Sequence, residues 1–196
     1  MKYYQDITLI PDAETHIGFI WHKVFQQIHI ALADNKLPDG SSAIAVSFPE
    51  YKKTRFPLGG KLRLFAPTEE QLKQLDAEKW LSRLQDYSHV KRIRSVPEVS
   101  EYACFRRKAV KSPEKKAELL ANHLKKPLDE VIHYRKENGL IKACDLPYIH
   151  MESQQKTASG QKNRFRLFIE QTLSDQPVSG VFDCYGLGKT ATVPWF

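Results

Sequence analysis

Seven histidines are the side chains of this 196-residue chain that titrate near neutrality, so they are its first candidates for moving protons. Two are set apart by position. Ile17, Ile20, Trp21, Val24, Phe25, Ile28 and Leu32 recur at helical spacing, and at about 100° per residue the apolar stripe centres near Ile28. His22 and His29 both fall roughly 100–120° from that centre, on one margin. A ring held there by core packing can still present a nitrogen to solvent; the same margin also suits an ordinary half-buried surface histidine. A second constellation lies further on. Arg164 and Arg166 alternate with Phe165, Leu167 and Ile169, which pairs arginine for phosphate with an aromatic for base stacking, although an ordinary amphipathic strand reads the same way. No Walker loop, GxGxxG, HExxH or GxSxG motif is present. Cys104, Cys144 and Cys184 are odd in number and lack CxxC spacing, which indicates neither a disulfide framework nor a zinc site. Buried, reduced thiols are expected, with no metal site and no cofactor.

The elements that must position these groups follow from pattern. Residues 2–10 read as a strand, the stripe above as a helix, and 43–48 and 61–66 as two more strands. Thr68-Glu-Glu-Gln71 is a capping box that opens a helix carrying Leu72, Leu75, Trp80, Leu81 and Leu84. A strand over 89–96 completes the order β-α-β-β-α-β. That order predicts an α+β protein with a ferredoxin-like domain over residues 1–97. Residues 98–196 read as a C-terminal α+β region with a basic helix and a small sheet. It comprises a strand over 99–110, a helix from Ser112-Pro113 through Lys126, and a short helix from Pro127 to Gly139. Strands follow at 147–152, 164–170 and 180–185, with a polar loop over 154–163 between the first two. The apolar terminus, ending Val193-Pro-Trp-Phe196, is expected to be packed rather than frayed.

Charge narrows the function. The chain carries 30 lysines and arginines against 23 acids, a net +7. Residues 91–136 hold thirteen of those cations and six of the acids, a surplus equal to that of the whole chain. Concentration in one segment is what a phosphate-binding face requires. The N-terminal residues lack the apolar run of a signal peptide, and no stretch nears the roughly 20 apolar residues of a membrane helix. A cytoplasmic protein with no membrane partner is expected.

Val46-Ser-Phe-Pro49, Ser153-Gln154, Arg164-Phe-Arg-Leu-Phe-Ile169, Cys184-Tyr-Gly-Leu187 and Val193-Pro-Trp-Phe196 occur in one order along the chain. In this the chain resembles the CRISPR-repeat endoribonucleases of the type I-F system, the Csy-type branch of the RAMP proteins. The resemblance implies metal-independent cleavage of precursor CRISPR RNA just 3′ of a repeat hairpin. The substrate's 2′-hydroxyl attacks the adjacent phosphorus and leaves a 2′,3′-cyclic phosphate. It implies His29 as the catalytic histidine, Ser153 as the serine that positions the ribose hydroxyl, and Tyr185 as the supporting tyrosine. Gln154, Arg106, Lys108, Lys115, Lys116 and Phe165 become RNA-binding residues. Phe165 would stack on the terminal base pair and Arg106 would read a guanine at the hairpin's base. Lys108 stands where the family has glutamine, and the helix from Ser112 is lysine-rich where the family has an arginine run.

The implied partners are the CRISPR RNA hairpin and the other subunits of the type I-F surveillance complex, with a monomer when free. A catalytically silent hairpin-binding subunit is the alternative, and a generic ferredoxin-like RNA-binding protein is more distant. His29, Ser153 and Tyr185 separate the first reading from the other two, because a pure binder needs none of them.

Overall fold

The computed structural model describes residues 1–140, 144–156, 160 and 162–196, without the side chains of 155 and 156. Contacts divide these into two compact units, Met1–Arg107 with Pro147–Phe196, and Lys108–Leu146. Packing thus groups the chain differently from the division at residue 97, which remains a proposal drawn from element order.

In the first unit the apolar stripe does form a helix, α1 (Ile17–Asp34), and Ile20, Trp21, Val24, Phe25, Ile28, Ala31 and Leu32 are buried along it. Full burial stabilises by about 1.5–3 kcal/mol for each large apolar side chain, so this face holds α1 in place. The His16 ring caps its start, with Nδ1 accepting the Gly18 N–H. Strands β1 (Tyr3–Leu9), β2 (Ala45–Ser47), β3 (Lys61–Ala66) and β4 (Ser88–Val90) lie in the order β2-β3-β1-β4, with antiparallel neighbours. The expected strand over 89–96 is divided: β4 pairs with one half of β1, and β5 (Arg94–Ser95) pairs with the other. The Thr68 capping box forms with both its hydrogen bonds and opens α2 (Glu69–Leu75). Asp76 then turns left-handed, at φ +51°, and caps a separate turn, α3 (Ala77–Trp80), so one expected helix becomes two.

Opposite the helical face of this sheet, Asp6 and Arg63 are cross-strand partners and both are buried. Arg63 Nε and Nη2 donate to the two Asp6 carboxylate oxygens at 2.6 and 3.1 Å, and Nη1 donates to the Phe196 carbonyl. The guanidinium also lies 4.0 Å from the Phe196 ring centre and 4.6 Å from that of Tyr4. The apolar terminus is therefore packed, as its composition predicts.

The second sheet runs β7-β8-β6-β9, from β6 (Tyr102–Lys108), β7 (Tyr148–Lys156), β8 (Lys162–Ser174) and β9 (Val193–Pro194). The loop expected over 154–163 is shortened by strand at both ends; residues 157–159 and 161 lie outside the described residues. No strand covers 180–185. Those residues form an isolated bridge at Phe182 and then a turn. Cys104 is buried as expected, whereas Cys144 and Cys184 are only half-buried; all three are free thiols.

In the second unit, Ser112 caps α4 (Pro113–Leu124) by accepting the Lys115 N–H, and Lys125, left-handed at φ +53°, ends it two residues earlier than expected. With α5 (Leu128–Glu137) it closes a small cluster of Ala117, Ala121 and Val131. Lys115 pairs with Glu118 and Lys126 with Glu130, so part of the segment's positive charge is already met locally. Among the described residues no helix is long and apolar enough to cross a membrane.

Candidate active site

Positions 22, 26 and 29 share one face of α1, as spacings of three and four residues require. That face meets the outer edge of β7. His22 Nδ1–H donates to the His150 carbonyl at 2.7 Å, and Gln26 Oε1 accepts the Glu152 N–H at 2.9 Å. Backbone groups two residues apart point to the same side of a strand, so the two side chains engage successive free groups of β7. The third member, His29, donates Nδ1–H to the Cys184 carbonyl at 2.9 Å. A carbonyl can only accept, so Nδ1 of His29 carries the proton and Nε2 holds the lone pair.

The Tyr185 ring stacks on His29, 4.1 Å between centres and 9° from parallel. Burial disfavours the imidazolium of His29 and outweighs both the Cys184 carbonyl and the Asp183 carboxylate, so its pKa lies below histidine's ordinary value. Burial also raises the pKa of the Tyr185 phenol, keeping it protonated at neutral pH. The turn beneath them explains why no strand forms there. Asp183 Oδ1 accepts the N–H groups of both Tyr185 and Leu187, which curls the chain back on itself. Gly186 completes the curl at φ +71° and gives its carbonyl to Val46 N–H on β2. A Cβ at Gly186 would meet Val46 Cγ2 at 2.5 Å. Gly186→Ala should therefore cost about 1–3 kcal/mol of stability, read as a lower urea midpoint, and should disturb the Tyr185–His29 stack, read as a changed near-ultraviolet circular-dichroism signal.

Strand alternation sorts the remaining candidates. On β8, Leu167 and Ile169 are buried, and Phe165 shares their face; on β7, Ile149 and Met151 are buried, and the register shifts between Glu152 and Lys156. On β6, Arg107 alternates onto the side of the buried Ala103 and Phe105 and is itself exposed. Its guanidinium carbon lies 5.7 Å from the Tyr185 ring centre and 5.6 Å from that of Phe165. His29, Tyr185, Arg107 and Phe165 are thus one contiguous group. Ser153 follows Glu152, the Gln26 anchor, and is half-buried.

Other candidates stand elsewhere. Arg106 alternates to the opposite face and its Nε donates to Glu170 Oε2 at 2.5 Å. Gln154 is exposed. Lys108, Lys115 and Lys116 belong to the second unit and are exposed. Arg107 and Asp183 were not singled out by residue type, yet the parity set by Ala103 and Phe105 marks Arg107 once β6 is aligned. Among the described residues, no group of three or more His, Cys, Asp or Glu side chains is placed to hold a metal ion.

The family model for CRISPR-associated protein Cas_Csy4 matches residues 4–196. The CRISPR-associated endonuclease Cas6/Csy4 of Pseudomonas aeruginosa (strain UCBPP-PA14) is 34% identical, and that of Escherichia coli (strain UTI89 / UPEC) is 32% identical, each over 199 residues and 100% of both chains. Two solved structures, a "CRISPR associated protein Cas6" and "An RAMP protein binding different RNA substrates", overlap with 98–99% of this chain and 98% of their own. Their TM-scores are 0.33 and 0.32 at 13% and 11% identity, too slight a likeness to bear on the fold. With a family match over nearly its whole length and two full-length relatives above 30% identity, the chain belongs to the Csy4 family of CRISPR-associated proteins.

Proposed function

We propose that this protein is an endoribonuclease that cleaves precursor CRISPR RNA 3′ of the repeat hairpin and stays on the product as a subunit of the type I-F surveillance complex. The orientation of His29 carries this reading. Its Nδ1–H is committed to the Cys184 carbonyl, its ring is stacked on Tyr185, and its depressed pKa leaves Nε2 unprotonated at neutral pH. Such a nitrogen can take the proton of a ribose 2′-hydroxyl as the oxygen attacks the adjacent phosphorus. The 5′-oxygen leaves, and a 2′,3′-cyclic phosphate remains. Ser153 fixes the ribose hydroxyl for in-line attack, and Tyr185 holds the imidazole plane; positioning of this kind is worth several kcal/mol of barrier. The test is direct: incubate the host repeat RNA with the protein and look for a single cut at the hairpin's 3′ base with a cyclic-phosphate end.

Transesterification by a 2′-hydroxyl needs a base and positioning groups, so cleavage should persist at an unchanged rate in EDTA. Loss of activity on chelation, restored by magnesium, would replace this mechanism with a metal-assisted one.

Phe165 stacks on the terminal base pair, and two neighbouring arginines compete to read the base beside it. The family resemblance names Arg106, whose guanidinium is engaged by Glu170; the geometry favours Arg107, flanked by Phe165 and Tyr185. Arg107→Ala should cost about 1–3 kcal/mol of hairpin affinity and blur discrimination at the lowest base pair. Arg106→Ala should do less. Binding of hairpins matched and altered at that pair, measured with both variants, decides between them. Lys115 and Lys116 contact phosphates, and their loss should weaken all hairpins alike and reduce the salt dependence; Lys108 stands at the position beside the next base, and Gln154 also binds the RNA.

The protein is a cytoplasmic monomer when free. We read residues 1–97 as ferredoxin-like, a reading supported by the antiparallel order β2-β3-β1-β4, and residues 98–196 as the RNA-binding half.

A further inference from the structure

We propose that the outer seam between α1 and the second sheet is a second RNA-contact site, which takes single-stranded RNA flanking the hairpin. The inference rests on the RNA-binding reading above and concerns residues that reading does not use. Two aromatic rings, each capped by a cation, flank a pair of histidines. On α1, Phe19 is 54% exposed, unusual for a large apolar side chain, and Lys23 Nζ lies 5.2 Å from its ring centre. On the sheet, the guanidinium carbon of Arg166 lies 4.9 Å from the ring centre of Tyr148, which packs in turn on Phe168. His22 is 6.3 Å from Phe19, centre to centre, and His150 stands edge-on to Tyr148 at 5.2 Å. The hydrogen bond from His22 to the His150 carbonyl joins the two halves.

These groups lie on the face of β7 and β8 that alternates away from the core: Tyr148 is opposite Phe168 in register, and His150 opposite Arg166. The two carboxylates on this face are engaged elsewhere, Glu170 by Arg106 among its partners. The nearest acid along β7, Glu152, is taken by Arg164 at 2.8 Å, and among the described residues no carboxylate pairs with Lys23 or Arg166. The pKa of His150 lies below histidine's ordinary value, first because burial disfavours its charged form and then because Arg166 and His22 add like-charge repulsion.

Rings and guanidinium planes open to solvent accept unstacked bases, and cations beside them accept the intervening phosphates. A duplex, whose bases are already stacked, gains nothing from such rings. His22 also lies seven residues from His29, about 10 Å along the helix, so the strand adjoining the reacting phosphate is within reach of both.

The test uses the full chain and hairpin RNA made uncleavable by a 2′-deoxy sugar at the cut. Three probes are compared by fluorescence anisotropy: the bare hairpin, and hairpins extended by about eight unpaired nucleotides on the 5′ or the 3′ side. Wild-type protein should bind one extended probe more tightly than the bare hairpin. Phe19→Ala with Lys23→Ala, and separately Tyr148→Leu, should each weaken that probe roughly 5- to 150-fold. Both variants should bind the bare hairpin as wild type does, and should cut an all-ribose hairpin carrying one nucleotide beyond the cut at the wild-type rate. The arm that responds names the flank. The proposal is overturned if neither extension adds affinity, or if the variants weaken bare and extended probes equally. A wild-type chain that neither binds the bare hairpin nor cuts the all-ribose one would overturn the endoribonuclease reading instead.

Discussion

His29→Ala should abolish cleavage of the repeat hairpin, by roughly 10²–10⁴-fold, while leaving hairpin affinity within a few-fold. The separation follows from what the ring does. Its Nδ1–H is spent on the Cys184 carbonyl and its face on Tyr185, so only Nε2 is left, and in the proposed mechanism that nitrogen moves a proton rather than holding a phosphate. The pH dependence carries a second signature. Because burial lowers the pKa of His29, the imidazole stays neutral into mildly acidic solution. As pH falls, kcat/KM should hold until its acidic limb, with a midpoint below the ordinary histidine value of about 6.5. A limb above that value would mean another group titrates. Cleavage retained by His29→Ala would shift the assignment to His22 or end the enzymatic reading, and lost affinity would give the ring a structural role.

The largest effect on stability is expected at the other face of the first sheet. Asp6→Ala removes the carboxylate, two of the three acceptors of a guanidinium that is 6% exposed, and leaves its charge buried with only the Phe196 carbonyl and two ring faces around it. Breaking such a pair costs about 3–5 kcal/mol, a large part of a domain's net stability. Urea denaturation of Asp6→Ala should therefore show a much lower midpoint. The double variant Asp6→Ala, Arg63→Leu should recover part of the loss, because no buried charge remains. If the double variant is no better than the single, the desolvated charge is not the cause.

Much of this was legible in the sequence because local chemistry and tertiary structure agree. Thr68-Glu-Glu-Gln71 and Ser112-Pro113 cap helices where their side chains dictate, and the α1 stripe buries the face that carries it. His29 was visible as a stripe-edge histidine, but nothing local distinguished it from His22; both make the same bond, from Nδ1 to a carbonyl. What differs is Tyr185, which arrives from the far end of the chain. Residues 180–185 have strand-like composition, yet two amide N–H groups prefer the Asp183 carboxylate to a neighbouring strand, and this competition is hidden from propensity. Arg106 and Arg107 are chemically equal. Only the parity of β6, fixed by Ala103 and Phe105, turns one toward Tyr185 and the other toward Glu170.

The three anchors along α1 also set a clock. They join residues 128, 126 and 155 positions apart. Contacts of such separation form late, since long loops must close before they are rewarded. During synthesis at about 5–20 residues per second, His29 emerges roughly 8–30 s before the Cys184 carbonyl that fixes its tautomer. Throughout that interval the nascent chain holds its base unoriented and unstacked. On the proposed mechanism, cleavage therefore begins only once the turn at 183–187 has docked against α1.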